Sequence, residues 1–167
     1  MNDELKVGDK APDFTAPCVR CGEFTLSAKV SEGPVLLYFY PVNYGQTCTN
    51  YIAVMNEFFD EFENAGIRMF HLNPGAVDDH SKWMDRMDSK YDHISDTEQK
   101  ISKRYSMIIT HPEHPKVAGF TNRGFVLIDG EMIIRYVWRA ERPIHTVDIG
   151  SLIANMRNIL KSTRNSV

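Results

Sequence analysis

Pro34-Val-Leu-Leu-Tyr-Phe-Tyr-Pro-Val-Asn-Tyr-Gly-Gln-Thr-Cys48 is the stretch on which the fold turns. Its first seven residues form a continuous apolar run between Gly33 and Pro41, the pattern of a strand buried on both faces of a sheet. Beyond Cys48, Ile52, Met55, Phe58, Phe59 and Phe62 recur at helical spacing. Asn56, Glu57, Asp60, Glu61 and Glu63 occupy the other face, and Asn64-Ala-Gly66 supplies the stop. A strand-to-helix junction therefore falls at Cys48, with Thr47 as the expected amino-terminal cap.

Working outward, Ile67-Arg-Met-Phe-His-Leu72 reads as a second strand, and Asn73-Pro-Gly75 with Asp78 and Asp79 opens a helix carrying Trp83, Met84 and Met87. Asp96-Thr-Glu-Gln99 has the form of a capping box, with Asp96 as cap and Gln99 answering it, before a short helix through Ile101 and Tyr105. His111-Pro-Glu-His-Pro-Lys116 is a loop. Gly124-Phe-Val-Leu-Ile-Asp129, the turn pair Asp129-Gly130, and Met132, Ile134, Tyr136 and Trp138 alternating with Ile133, Arg135 and Val137 read as a hairpin. A last helix from about Thr146 buries Leu152, Ile153, Met156, Ile159 and Leu160. The order β-α-β-α, β-hairpin, α predicts an α/β chain of thioredoxin-like fold. Its mixed sheet is flanked by helices, with an extra amino-terminal hairpin around Phe14 and Phe24.

The chain has 167 residues, 43% of them hydrophobic, which suits a single domain over residues 1–167 with one well-filled core and excludes a disordered chain. Nineteen Lys and Arg against 22 Asp and Glu leave a net charge of −3, so no basic footprint points to nucleic acid or an anionic membrane. No apolar run approaches the roughly 20 residues of a membrane span, and Met-Asn-Asp-Glu-Leu-Lys lacks the basic-then-apolar layout of a signal peptide. A cytoplasmic protein is expected.

Cys18, Cys21 and Cys48 are too few and odd in number for a secreted disulfide scaffold. At the start of a helix, partial positive charge and unpaired amides favour thiolate over thiol, which makes Cys48 a candidate nucleophile; the bland alternative is a buried structural cysteine. Cys18-Val-Arg-Cys21 is open to three readings: a redox pair, half a zinc site, or two cysteines in a hairpin turn. Zinc is the least favoured, since a structural site takes four ligands and no second Cys-x-x-Cys or paired-histidine motif is present. No metal or cofactor is expected. His111, His114 and His71 read as loop and packing residues.

Tyr38-Phe-Tyr-Pro41-Val-Asn-Tyr-Gly-Gln-Thr-Cys48-Thr49 resembles the peroxidatic loop of the peroxiredoxin family, of the alkyl hydroperoxide reductase and thiol-specific antioxidant type. Arg123-Gly-Phe-Val-Leu-Ile-Asp129 looks like the family's strand that begins with the active-site arginine. Val7-Gly-Asp-Lys-Ala-Pro-Asp-Phe14, Ser95-Asp96 with Lys103-Arg-Tyr105, and Arg135-Tyr-Val-Trp138 extend the likeness over nearly the whole chain. The nearest subgroups are the bacterioferritin-comigratory and one-cysteine bacterial types. The resemblance implies a thiol-dependent peroxidase that reduces hydrogen peroxide or small organic hydroperoxides through a sulfenic acid on Cys48. Arg123 would hold the thiolate and meet charge on the leaving oxygen, and Pro41 would shield the sulfur. It further implies a thiol reductant such as thioredoxin or glutaredoxin, and a homodimer. Two positions depart from the pattern. Gly45 stands where the family carries a threonine, so that either Thr47 or Thr49 supplies a hydroxyl or the freedom of glycine reshapes the loop for its amides to bind the peroxide, and Ala53 stands where one subgroup places its resolving cysteine. Cys18 and Cys21 are then the only internal resolving candidates. A redox sensor of the same fold, or a thiol-disulfide reductase working through Cys18 and Cys21, is the alternative.

Overall fold

Seven strands form one sheet in the computed structural model, which describes residues 4–165. The strands are β1 (Thr15–Cys18), β2 (Gly22–Thr25), β3 (Val35–Phe39), β4 (Arg68–Asn73), β5 (His93–Ser95), β6 (Gly124–Ile128) and β7 (Ile134–Arg139), ordered β2-β1-β5-β4-β3-β6-β7 across the sheet. β3, β4 and β5 run parallel, while the β1–β2 hairpin and the β6–β7 hairpin close the two sides with antiparallel pairings. The helices are α1 (Leu26–Val30), α2 (Gln46–Glu57), α3 (Phe59–Asn64), α4 (Val77–Met87), α5 (Lys100–Arg104) and α6 (Ile149–Asn165).

β3 explains the architecture. Side chains alternate across a strand, so Val35, Leu37 and Phe39 enter one apolar cluster and Leu36, Tyr38 and Tyr40 the other. The first cluster takes in Phe14, Phe24, Leu26, Ile101 and Tyr105 from the amino-terminal hairpin, α1 and the α5 region. The second takes in Ile52, Met55, Trp83, Leu152 and Met156 from α2, α4 and α6. Such two-sided cover is why the run at 34–40 carries no polar alternation. The mixed sheet with helices on both faces and an added amino-terminal hairpin is the thioredoxin-like arrangement expected.

Local expectations were corrected in four places. The long amphipathic helix is two, because α2 ends at Glu57 and α3 restarts after Phe58, whose ψ of 10° leaves the helical region. α2 begins at Gln46 on Gly45, so Thr47 lies inside the first turn and caps nothing. The capping box at Asp96 does not form: Gln99 sits in the left-handed region at φ 56°, and Asp96 instead accepts from the amides of Ile101 and Ser102. Its carboxylate reaches over one extra turn of chain, which spacing alone does not reveal. In the β6–β7 hairpin, Asp129 Oδ1 accepts from the amides of Glu131 and Ile133 and Met132 takes φ 65°, a five-residue turn in place of a two-residue one. The accompanying register shift near Leu127 and Ile128 places Ile134 with the first cluster while Tyr136 and Trp138 pack on the second. No helix among the described residues is long and apolar enough to cross a membrane.

Candidate active site

The carboxyl end of β3 delivers the chain into a short loop. Tyr40 is its last buried residue, Pro41 follows half-buried, and Val42 and Tyr44 are exposed. Tyr44 adopts φ 67°, the left-handed turn that starts α2, while Gly45 keeps an ordinary φ of −66°. The strained position is therefore one residue before the glycine. Tyr44 is held by its ring edge against Trp83, 4.6 Å between centroids, with the Arg86 guanidinium 5.5 Å from its ring. Asn43 ties the loop inward: Tyr40 Oη and Asn73 Nδ2 both donate to its Oδ1, and its amide nitrogen meets His80 Nδ1 at 3.1 Å.

Cys48 is the third residue of α2 and 3% exposed. Arg123, immediately before β6, is 1% exposed, and its Nη2 approaches the Cys48 Sγ to 3.4 Å. Nη1 donates to Tyr38 Oη, Nη2 also reaches the Pro143 carbonyl at 3.4 Å, and the guanidinium carbon lies 5.9 Å from the Tyr51 ring centre. Tyr51, one turn after Cys48, is pinned by donating to the Val147 carbonyl. Four elements thus converge on one sulfur: β3 through Tyr38, α2 through Cys48 and Tyr51, the start of β6 through Arg123, and the segment before α6 through Pro143 and Val147.

Electrostatically the site is one-sided. Among the described residues no carboxylate pairs with Arg123, and its Nε has no partner. Burial alone would push the guanidinium down. Attraction to the Tyr38 oxygen and the Cys48 sulfur outweighs it and holds the group above its ordinary value. Burial also raises Tyr38 and Tyr51, so both phenols stay protonated, with the Arg123 charge opposing the rise only in part. The arrangement presents a permanently charged donor fork to a sulfur and, beside it, to whatever oxygen approaches that sulfur.

Arg123 and Cys48, singled out from the sequence, are in contact. Arg135 and Arg139 are engaged elsewhere, on Asp129 and on the carbonyls of Leu5, Tyr105 and Ser106. Thr49 spends its hydroxyl on the Gly45 carbonyl at 2.7 Å. Cys18 and Cys21 form a disulfide across the β1–β2 turn and are not brought to Cys48, the free cysteine. His111 and His114 line a cleft of about 890 Å³ with Arg139, Arg142 and Pro143. Tyr38, Tyr51 and Pro143 escaped notice in the sequence. A tyrosine in a fully buried strand needs a partner for its hydroxyl, and that was the signal available.

Comparison with known proteins places this geometry in context. The sequence model of the AhpC/TSA family matches residues 7–137. The chain is 31% identical over 140 residues to the chloroplastic 2-Cys peroxiredoxin BAS1 of Hordeum vulgare, covering 78% of this chain and 64% of that protein. It spans 50–64% of the length of the chloroplastic 2-Cys peroxiredoxins BAS1 of Hordeum vulgare, Spinacia oleracea and Arabidopsis thaliana. Among solved structures it is similar to the mitochondrial 2-Cys peroxiredoxin of Plasmodium falciparum, with TM-score 0.81, 21% identity and coverage of 97% and 98% of the two chains. The Mycobacterium tuberculosis peroxidoxin BcpB gives TM-score 0.77 at 20% identity, covering 95% of this chain and 98% of that one. These two likenesses are of fold.

Proposed function

The chain belongs to the AhpC/TSA family, and from that premise we propose that it is a thiol-dependent peroxidase in which Cys48 reduces hydrogen peroxide or small organic hydroperoxides. The observation that carries the reading is the 3.4 Å contact between a buried, carboxylate-free Arg123 and the Cys48 sulfur. In the proposed step the Cys48 thiolate attacks one peroxide oxygen in line with the O–O bond. A sulfur–oxygen bond forms, the O–O bond breaks, and the departing oxygen leaves as hydroxide or alkoxide and takes a proton from water. Arg123 meets negative charge twice, first on sulfur and then on the leaving oxygen, where a fixed donor in a dry site is worth most. Pro41, two residues beyond β3, is proposed as the wall that keeps water from the sulfur.

A thiol donor of thioredoxin or glutaredoxin type then condenses with the sulfenic acid, releasing water and leaving a mixed disulfide that a second thiol opens. A homodimer working in the cytoplasm completes the proposal. Stopped-flow reaction of the reduced protein with peroxide, with the product weighed intact, tests it. Wild type is expected to gain one oxygen atom on Cys48 and to turn over with a thiol donor. Cys48→Ser is expected to lose peroxide turnover with the thiol donor while melting like wild type, because serine gives no usable anion near neutral pH. Turnover by Cys48→Ser near the wild-type rate would overturn the assignment. Oxidation without turnover would point to a redox sensor.

A further inference from the structure

The β1–β2 turn holds a second group of reactive side chains that the peroxidase reading leaves unused. Cys18 closes β1, Cys21 sits just before β2, and their Cα atoms are 5.6 Å apart. Gly22 follows at φ 76°, a left-handed conformation that a side chain would resist and that folds the turn back on itself. Asp92, at the start of β5 and about seventy residues away in sequence, reaches into this turn. Its Oδ1 accepts from the Arg20 amide at 2.8 Å and its Oδ2 from the Cys21 amide at 2.8 Å. The Arg20 guanidinium anchors the other side by donating to the Ser89 carbonyl. The two sulfurs and one carboxylate oxygen all lie within 4.8 Å of one another.

We propose that Cys18, Cys21 and Asp92 form a redox-gated site for a zinc-type divalent cation, occupied when the cysteines are reduced and emptied when they join. Zinc takes thiolates at about 2.3 Å and carboxylate oxygens at about 2.1 Å in a tetrahedron, which sets donors about 3.8 Å apart. The three donors lie within 4.8 Å of one another, so opening the sulfur–sulfur bond and small side-chain rotations bring them to that spacing. Hydrogen bonds to the carboxylate fix its direction, as supporting contacts do at metal sites: Oδ1 accepts from the amides of Arg20 and His93, and Oδ2, which accepts only from the Cys21 amide, keeps a lone pair for the ion. Cys21 is partly exposed, so an ion and one water as fourth ligand have access from solvent. The sequence lacks a second Cys-x-x-Cys, and Asp92 replaces it through strand pairing. The competing His111, Glu113 and His114 group is more exposed and lies in a single loop, without a strand to hold it.

Gating balances with a peroxide as oxidant. Two bound thiolates give up two electrons and form the disulfide, hydrogen peroxide accepts them with two protons and becomes two waters, and the cation is released. The step does not involve Cys48, so its failure and that of the peroxidase reading are separable.

Cobalt(II) added to the reduced Cys48→Ser protein under anaerobic conditions tests the site, because cobalt–thiolate bonds absorb in the near ultraviolet and tetrahedral cobalt absorbs strongly in the visible. One cobalt per chain is expected, with both signals. Cys18→Ser or Cys21→Ser should abolish the tight site, and Asp92→Asn should weaken binding at least about tenfold. One equivalent of hydrogen peroxide should expel the metal with loss of two hydrogens from the mass. Absence of the thiolate band, unchanged affinity in Asp92→Asn, or cobalt retained after the disulfide forms would overturn the proposal. If Asp92→Asn loosens the turn, the visible spectrum of the protein with Asp92 intact decides: weak octahedral bands would also overturn it.

Discussion

Among the described residues Arg123 is a buried cation with no carboxylate paired to it, and Cys48 is the group beside it that can supply an anion. A buried charge whose partner is removed costs several kcal/mol, so ionised Cys48 and Arg123 support each other in a way that a surface pair does not. Arg123→Met keeps the bulk and removes the charge. It is expected to slow the peroxide reaction at least about 10²-fold, the loss associated with one transition-state donor. Arg123→Lys should recover only part, because a point charge does not span Tyr38 Oη and Cys48 Sγ together as the fork does. Stopped-flow rate constants of the three proteins check both. Gly45 gives a second test. Its φ of −66° suits any residue, and a Cβ built there would lie 3.7 Å from the Cys48 sulfur and 3.3 Å from a methyl of exposed Val42, which can give way. Gly45→Thr therefore sets a hydroxyl beside the sulfur without backbone strain, and a several-fold rise in the second-order rate constant is expected. A folded but slower variant would mean that the loop's own amides bind peroxide. The Cys48–Arg123 pairing was legible through the flanking motif. The Tyr38 and Pro143 contacts were not, because each is made across the fold by residues whose local pattern is only that of a core strand or a loop.

At the scale of elements, β4, β5 and α4 carry an aromatic core beneath the active-site loop that includes three fully buried histidines. The β4–β5 pairing sets His71 directly opposite His93, with ring centres 4.8 Å apart, and His80 of α4 comes within 5.4 Å of His93. Neither ring nitrogen of His71 has a partner among the described residues. Burial drives the His71 pKa down to about 3 and lowers those of His80 and His93. The unfolded chain takes up protons at these positions near pH 6.5, whereas folded His71 takes one only near 3. Between those values the unfolded state binds more protons, so stability falls as pH falls, by roughly 1 kcal/mol per pH unit for each histidine held neutral. Denaturation midpoints at pH 7 and pH 5 are expected to differ accordingly, and His71→Phe should reduce the difference. An unchanged midpoint in wild type would show that these rings accept protons while folded. The strands and helices themselves were readable because burial imprints a period of 2 or 3.6 residues on the sequence. The histidine core was not, because it depends on which strands pair, and His71 and His93 carry no local sign that they meet.

Across the whole molecule, the sheet separates the chain's two redox features. Cys18 is paired with Ile94, Ile94 with Leu72 and Leu72 with Phe39, so Cys18 stands three strands from the end of β3. At about 4.8 Å per strand that is roughly 14 Å. The faces differ as well: Cys18 packs with Phe39 and Leu72 in one cluster, and Cys48 packs with Tyr38 and Tyr40 in the other. A disulfide requires Cα atoms within about 7 Å, and to bring these cysteines together one chain would have to pull β1 off the sheet and strip Phe14, Ala16 and Phe24 from their core. Direct resolution of a Cys48 sulfenic acid by Cys18 or Cys21 of the same chain is therefore not expected; an external thiol must do it before a second oxidation yields sulfinic acid. With one equivalent of peroxide and no reductant, wild type and the Cys18→Ser, Cys21→Ser double variant should both gain a single oxygen on Cys48. Both should also return to the reduced mass at Cys48 with an added thiol donor at equal rates. A peptide map joining Cys48 to Cys18 or Cys21 would overturn this, and the protein concentration at which the link forms would tell its source. A yield independent of concentration means that the hairpin opens within one chain, and a yield that rises with concentration means that a second copy delivers the thiol.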